Sequence, residues 1–263
     1  MIGGLPPDQI NACAEVLRKG DPDRFRVAMA APPEARARML PILAMNVEVS
    51  RAPYLTKEPM IALMRLQWWR DAVAEAVAGK PPRAHEVAAP LAKVIADWGL
   101  PEESFERLIT ARQWDIEEKG FADDAAFRAH IAATGGELVW LSAAALGLPD
   151  EKAEAARAAG YAMGLANWFL AIPALEAQGK QPLADGRPEA VQRLAAEGLD
   201  HLKQARAVRG IEPAVPALRL ATHAGPILRR AIRDPSAVGD GRLAASEFSR
   251  RAHLYCKALV GGW

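Results

Sequence analysis

Residues 131–147 read IAATGGELVWLSAAALG, a stretch dominated by alanine and leucine. These residue types lose little side-chain freedom in a helix. The stretch ends at Gly147, and glycine commonly follows the last helical turn. The pattern therefore predicts a helix over 123–146. Because the same signals recur on both sides of this stretch, we expect the chain to be all-α.

The neighbouring segments carry the punctuation of helices. Pro22 follows an aspartate, and Pro101 and Pro149 each precede two acidic residues, which favours helix starts. Alternating runs of Val, Ile, Thr and Tyr, which are typical of strands, are missing. Pro41 and Pro173 lie inside predicted helices and should kink or break them. The predicted helices cover roughly 8–19, 22–30, 33–50, 57–78, 85–98, 102–118, 123–146, 150–178, 187–208, 213–232 and 243–260.

The composition favours one soluble domain. The 263 residues are 51% hydrophobic and 25% charged, with a formal net charge of +1, so nucleic acid is not an expected partner. No run of apolar residues long enough to cross a bilayer is evident, and the first twenty residues lack the features of a secretory signal or a transit peptide. We expect a single domain over 1–263 and a cytoplasmic location.

Cysteine usage and short motifs exclude several kinds of site. Cys13 and Cys256 lie far apart and share no short motif with histidine, which excludes a zinc site of the usual spacing. A disulfide between the two cysteines is left open as an alternative, and free thiols in a reducing compartment are the preferred interpretation. No Ser-His-Asp set, Cys-His pair or glycine-rich phosphate loop of useful spacing is present.

Four stretches, taken in their order and spacing, resemble the squalene/phytoene synthase family. They are 21–29 (DPDRFRVAM) with 33–36 (PEAR), 63–74 (LMRLQWWRDAVA), 108–116 (LITARQWDI) with 131–147, and 159–183 with 201–206 (HLKQAR). The resemblance runs from about residue 20 to about residue 235. It implies an isoprenoid-synthase-like helical bundle around a central cavity.

Enzymes of this family condense two prenyl diphosphates and carry two aspartate-rich motifs on facing helices. Their carboxylates hold Mg²⁺ against the diphosphate, and the metal helps the leaving group depart. Laid against the first motif, this chain has Ser50 and Arg51 at the paired aspartates and Tyr54 at the third position, with Glu48 as the nearest acid. One carboxylate beside an arginine is a poor Mg²⁺ site.

The second motif is also missing. Asn167 matches the family's asparagine, but apolar residues stand where an arginine and the acidic residues are usual, and the nearby Glu176 is offset. The apolar replacements are Leu170, Ala171, Ala174 and Leu175. A branch of the family shows the same two losses and includes the mitochondrial assembly factor of respiratory complex I. The runs at 65–69 and 201–206 look more like that branch than like the enzymes.

The resemblance to this branch implies a pseudoenzyme that acts in assembly of respiratory complex I at the inner membrane. It implies complex I subunits or assembly intermediates as partners, and no cofactor. Two alternatives stay open. One is an active prenyltransferase with an unrecognised Mg²⁺ site, and the other is a lipid- or isoprenoid-binding protein that uses the old cavity.

No catalytic or metal-binding residue is assigned, and the ligand-binding candidates come from the comparison with the family. They are Arg51, Glu48, Asp115, Asn167 and Trp68. Arg51 could meet a phosphate directly or pair with Glu48. Asp115 matches an aspartate that follows the family's middle motif and, like the turn Thr134-Gly135-Gly136, could be kept for packing alone.

Three further patterns each have a functional and a structural interpretation. Asp71 and Glu75 stand four apart on one helix and form either a substitute metal pair or a solvated acidic edge. Trp68, Trp69, Trp114, Trp140 and Trp168 line a cavity or, as we prefer, pack in the core. Basic stretches at 201–209, 223–233 and 250–253 form either a face for anionic lipid, at the inner face of the inner membrane, or a solvated surface.

Overall fold

The computed structural model of the chain describes residues 4–117 and 120–263, and these residues form fourteen α-helices and no strand. The all-α prediction is confirmed. The helices are α1 (Pro7–Gly20), α2 (Pro22–Met29), α3 (Pro33–Arg51), α4 (Pro59–Val77), α5 (Ala88–Trp98), α6 (Glu102–Ala111), α7 (Asp124–Ile131), α8 (Glu137–Ala144), α9 (Ala153–Ala177), α10 (Pro188–Ala207), α11 (Val215–Leu218), α12 (Ala224–Arg233), α13 (Ser236–Gly239) and α14 (Glu247–Leu259).

The structure corrects several predicted helix ends. The helix expected over 102–118 stops at Ala111 and continues as a 3₁₀ turn over Arg112–Asp115, and its predicted end at 118 lies outside the described residues. The helix expected over 213–232 is interrupted by a 3₁₀ turn at Arg219–Ala221. Pro41 and Pro173 break neither α3 nor α9. Burial of the surrounding turns outweighs the one hydrogen bond that each proline removes.

Helix α9 runs through the middle of the bundle and contacts α8, α10 and α12. With the turn before it, Asp150–Ala177 is long and apolar enough to cross a membrane, with a mean hydropathy of 1.3. By these criteria the sequence expectation of no such run was wrong. However, 61% of the 18-residue segment over which this hydropathy is averaged is buried inside the protein, as is usual for a core helix.

Glycines bring α9 into direct backbone contact with the chain between α7 and α8. This connection is a π-helical turn, Ala132–Gly136, so α7 and α8 form one helix with a local widening. A Cβ atom added at Gly135 would lie 2.5 Å from the carbonyl oxygen of Gly160, and one added at Gly160 would lie 2.8 Å from Cα of Gly136. Only glycine allows this separation, so these residues set the distance between α9 and the α7–α8 segment.

A buried carboxylate supports the same contact from the side. Glu137 starts α8 and is 4% exposed. It accepts hydrogen bonds from Nε of Arg107 on α6 at 2.8 Å and from Nε of Arg157 on α9 at 3.2 Å. Arg157 also lies over the ring of Trp140, 5.3 Å from its centroid. Because burial makes an unpaired charge costly, Glu137 holds both arginines, and thereby α6 and α9, against α8.

Gly160→Ala is expected to destabilise the protein by about 3 kcal/mol, because the added methyl group meets backbone atoms that cannot move independently. Urea unfolding followed by circular dichroism measures the loss. Gly239→Ala is the matched control, since Gly239 is helical and a Cβ atom added there would have no neighbour within 4 Å. Equal unfolding midpoints for the two variants would show that the glycine contact does not constrain the fold.

Candidate functional site

Two of the five candidate residues, Glu48 and Trp68, line one groove between α3 and α4. The groove has a volume of about 440 Å³ and is mostly apolar. Its lining includes Glu48, Leu55, Ile61, Met64, Trp68 and His85. Arg51, Asp115 and Asn167 do not line it. The structure therefore divides the predicted site among separate places.

Aromatic rings form the inner wall of this groove. Trp68 and Trp69 meet edge to face with ring centroids 5.0 Å apart, and His85 lies 5.2 Å from Trp68. The guanidinium group of Arg83 lies over Trp68 at 5.4 Å. Core packing is confirmed for Trp69, which is 4% exposed, whereas Trp68 is partly open to the groove.

The carboxylates of Asp71 and Glu75 pair with an arginine. Nε of Arg83 lies 2.7 Å from Glu75, and its Nη2 lies 3.4 Å from Asp71. The hydrogen bond from Arg83 holds the pKa of Glu75 below its usual value. One arginine thus already contacts both carboxylates, so the arrangement supports the interpretation as a polar surface edge over that of a substitute metal pair.

Asp115 is the centre of a hydrogen-bond network that joins three segments of the bundle. Oη of Tyr54, just after α3, donates to Oδ1 of Asp115 at 2.9 Å. Nη1 of Arg112 lies 3.6 Å from Oδ2. Nζ of Lys180, just after α9, donates to the carbonyl oxygens of Asp115 and Glu117, both at 2.8 Å. We call Tyr54, Arg112, Asp115 and Lys180 the Asp115 network.

The Asp115 network includes Tyr54, which stands at the third position of the family's first aspartate-rich motif. Burial and the negative charge of Asp115 raise the pKa of Tyr54, so its hydroxyl stays protonated and donates at neutral pH. Asp115 itself is 8% exposed. Its carboxylate therefore holds the end of α3 in place and is turned away from solvent. Sequence analysis singled out Asp115 as a ligand-binding candidate and gave no protein partner for it.

The positions of the two family motifs do not fit a Mg²⁺ site. Oγ of Ser50 donates to the carbonyl oxygen of Val47 within its own helix at 3.0 Å. Arg51 and Asn167 are exposed, and Arg51 makes no ion pair with Glu48 or with any other described residue within 4.0 Å. In residues 4–117 and 120–263, no group of three or more His, Cys, Asp or Glu side chains is placed to hold a metal ion.

An aromatic cluster fills the interior next to the Asp115 network. Ring centroids of neighbouring members lie 4.7–5.9 Å apart. The members are Trp114, Phe121, Phe127, His130 and Trp168. Core packing is thus confirmed for Trp114 and Trp168, and also for Trp140, which is 2% exposed. Sequence analysis missed His130, although it lies one turn from Phe127 on the buried side of α7.

The three basic stretches converge only in part. The rings of His223 and His253 lie 5.9 Å apart, which brings α12 and α14 together. His201 instead lies against Tyr161 at 4.4 Å. Arg250 pairs with Asp23 and Arg251 with Glu247. Both cysteines are free thiols, as preferred, with Cys13 buried and Cys256 exposed.

Comparison with known families decides the classification. Residues 17–185 match the family model described as Squalene/phytoene synthase. The chain belongs to the squalene/phytoene synthase family. The two missing aspartate motifs are therefore departures within a family to which the chain belongs.

Curated relatives carry the name NADH dehydrogenase (ubiquinone) complex I, assembly factor 6. The protein of Rattus norvegicus is 29% identical over 168 residues, which is 64% of this chain and 50% of the relative. The protein of Mus musculus is 29% identical over 171 residues, covering 65% and 51%. That of Homo sapiens is 27% identical over 162 residues, covering 61% and 48%. The chain spans about half the length of the curated relatives it matches.

Solved structures establish the fold of this family member. A dehydrosqualene synthase in complex with ligand superposes with a TM-score of 0.73 at 13% identity, covering 96% of this chain and 95% of the other. The squalene synthase HpnC from Alicyclobacillus acidocaldarius gives a TM-score of 0.61 at 20% identity, covering 98% and 97%. The isoprenoid-synthase-like fold is confirmed.

Tyr54→Phe is expected to lower the free energy of unfolding by about 1.5–3 kcal/mol, because Asp115 loses a hydrogen bond to a buried charge. Tyr255→Phe is the matched control, since Tyr255 is 52% exposed, similar to Tyr54. Urea unfolding of both variants measures the difference. If the two variants are equally stable, the Asp115 network does not hold α3 in place.

His130 is expected to make stability depend on pH. Burial and the charge of Arg112 lower the pKa of His130 from 6.5 to about 3. The unfolded state therefore binds more protons between these values, and stability falls as the pH drops below about 6.5. His130→Phe should lower the slope of the free energy of unfolding against pH by up to about 1.4 kcal/mol per pH unit.

Urea unfolding at several pH values between about 4 and 7 measures the two slopes. His223 and His253, whose pKa values are also lowered by burial, contribute to both proteins, so the difference between the proteins reports on His130. Parallel stability profiles would contradict the burial of a neutral His130.

Proposed function

We propose that the chain is a non-catalytic member of the squalene/phytoene synthase family that acts in assembly of respiratory complex I, as a cytoplasmic protein at the inner face of the inner membrane. One observation supports the non-catalytic role. The positions of both metal-binding motifs hold side chains that do not fit Mg²⁺, with Ser50 and Arg51 on α3 and Ala171 and Ala174 on α9.

The physical chemistry of the family reaction explains why these residues matter. A prenyl diphosphate carries several negative charges, and its departure requires cations that bridge it to the protein. Arg51 supplies one positive charge, and Tyr54 is already bound to Asp115. A single exposed arginine does not replace metal ions held between two helices. A retained isoprenoid-synthase fold that lacks the metal ligands supports a role in which the chain binds partner proteins.

The names of the curated relatives support the assembly role. Their matching segments cover 61–65% of this chain at 27–29% identity. Complex I subunits or assembly intermediates are accordingly the proposed partners. If the chain had prenyltransferase activity, its metal ligands would have to lie at positions other than those of the two family motifs.

A lipid- or isoprenoid-binding role is the second candidate, and the groove between α3 and α4 favours it. Leu55, Ile61, Met64 and Trp68 give this groove an apolar lining of a size that suits a prenyl or acyl chain. This groove, on the α4 side of α3, would then hold the ligand without converting it.

Two measurements test the proposed function together. Purified protein incubated with farnesyl or geranylgeranyl diphosphate and Mg²⁺ is expected to release no diphosphate. Deletion of the gene in its own host is expected to lower assembled complex I on native gels. Complementation should succeed equally with the native chain and with Arg51→Gln/Asn167→Ala, which removes the exposed polar side chains left at the motif positions.

The outcomes separate the candidates. Diphosphate release by the native chain would overturn the non-catalytic role and favour the prenyltransferase alternative. Normal complex I in the deletion strain would overturn the assembly role. In that case, saturable quenching of tryptophan fluorescence by farnesol, abolished by Met64→Trp in the groove, would favour the lipid-binding candidate.

A further inference from the structure

The near-neutral net charge conceals a strong asymmetry along the chain. Residues 201–263 contain eleven Lys and Arg against four Asp and Glu, a net charge of +7. Residues 1–200 contain twenty-two against twenty-eight, a net charge of −6. The positive part comprises the end of α10 and all of α11 to α14. Such an asymmetry gives one end of the molecule a positive field.

Within this region, five cationic side chains lie together, and we call them the basic face. They are Arg206, Arg229, Arg233, His253 and Lys257. Arg229 and Arg233 line one shallow groove on α12. Burial, together with the charge of Arg229, lowers the pKa of Arg206. Burial, followed by the charges of Lys257, Arg206 and Arg229, lowers the pKa of His253.

Among the described residues, no Asp or Glu side chain pairs with an arginine or lysine of the basic face, and Arg206 donates only to the main-chain oxygen of Trp263 at 3.5 Å. None of Arg206, Arg229, Arg233 and Lys257 forms an ion pair within 4.0 Å there. Asp23 on α2 and Glu247 on α14 are paired with arginines outside the basic face. These cations therefore repel one another in the isolated protein and would be stabilised by an anionic partner.

Helix α14 carries His253 and Lys257 of the basic face on one side and an exposed apolar stripe on another. Phe248 is 82% exposed, Tyr255 52%, Leu259 86% and Val260 79%. The spacing puts Phe248, Tyr255 and Leu259 on one side of α14, away from Leu254, which is 2% exposed, and Val260 follows directly after the helix. Ion pairs from Arg250 to Asp23 and from Arg26 to Glu247 attach α14 to α2, so the stripe has a fixed direction.

The combination of stripe and basic face favours an anionic lipid surface over other partners. A second copy of the chain, related by a two-fold axis, would bring one basic face against another. Nucleic acid would satisfy the cations but would leave Phe248 and Leu259 in water. A bilayer with anionic lipids offers phosphates to the cations and an acyl boundary to the stripe.

We propose that α14 lies in the headgroup region of an anionic bilayer, with its apolar stripe inserted and the basic face against lipid phosphates. This proposal rests on the membrane location in the proposed function and names the surface responsible for it. It does not depend on the role in complex I assembly.

The chain itself provides the probe position for a test. Cys256 is exposed on α14, whereas Cys13 is buried, and burial raises the pKa of its thiol to about 12. A maleimide that carries an environment-sensitive fluorophore will therefore react with Cys256. Addition of phosphatidylcholine vesicles containing phosphatidylglycerol should shift its emission to the blue, and vesicles of phosphatidylcholine alone should not.

Vesicle flotation with matched variants identifies the surface. Phe248→Ser/Leu259→Ser should weaken partitioning about tenfold or more, since two fully exposed apolar side chains lose their insertion. Arg229→Gln/Lys257→Gln should weaken it by about fivefold per charge. Met60→Ser/Val77→Ser is the control, because these side chains are 67% and 45% exposed on α4 and lie outside both the groove and the basic face. All substituted side chains but Lys257 are exposed, and circular dichroism verifies folding.

Binding that responds to the α14 and basic-face variants but not to the α4 variant would support the proposal. Absence of binding to either vesicle, binding without preference for phosphatidylglycerol, or loss of binding in the α4 variant alone would overturn it. The assay contains no complex I, so its failure leaves the assembly experiment intact. Failure of the assembly experiment likewise leaves the vesicle result intact.

Discussion

The close contact between Gly135 and Gly160 is the constraint on which the arrangement of the bundle depends. It places the backbone of α9 directly against the π-helical turn and leaves no space for a side chain between them. Glu137, with Arg107 and Arg157, fixes α6 and α9 around this point. Backbone contact and the ion pairs of the buried Glu137 thus hold these helices of the isoprenoid-synthase-like fold together.

The Asp115 network joins the ends of α3 and α9, the two helices that hold the positions of the family's aspartate-rich motifs. In the family's enzymes, carboxylates on these helices share Mg²⁺ and diphosphate. In this chain, Tyr54 after α3 and Lys180 after α9 both bind the turn that contains Asp115. Tyr54 is a neutral donor to the carboxylate of Asp115, and Lys180 is a cationic donor to its main chain. Acidic side chains in their place would repel one another. The fold is kept, while Ser50, Arg51, Ala171 and Ala174 stand at motif positions in place of carboxylates.

Most of the fold could be predicted from the sequence, because alanine content, proline-acid helix starts and terminal glycines are local signals. The site could be predicted only in part. Comparison with the family identified Asp115 and Tyr54 as matching positions, but their hydrogen bond joins residues sixty-one positions apart. Pattern alone does not reveal such a pairing. The expectation that Pro41 and Pro173 kink or break α3 and α9 could not be settled locally for the same reason, since burial by distant helices keeps both helices unbroken.

The central claim is that this family member keeps the helical fold of a prenyl-diphosphate enzyme without its metal-dependent site. Calorimetric titration with Mg²⁺ in the presence of a non-hydrolysable farnesyl thiodiphosphate tests this most directly, because it requires binding but no turnover. We expect no heat that depends on having both the metal and the analogue. Saturable Mg²⁺-dependent binding of the analogue, removed by Arg51→Gln/Asn167→Ala, would contradict it.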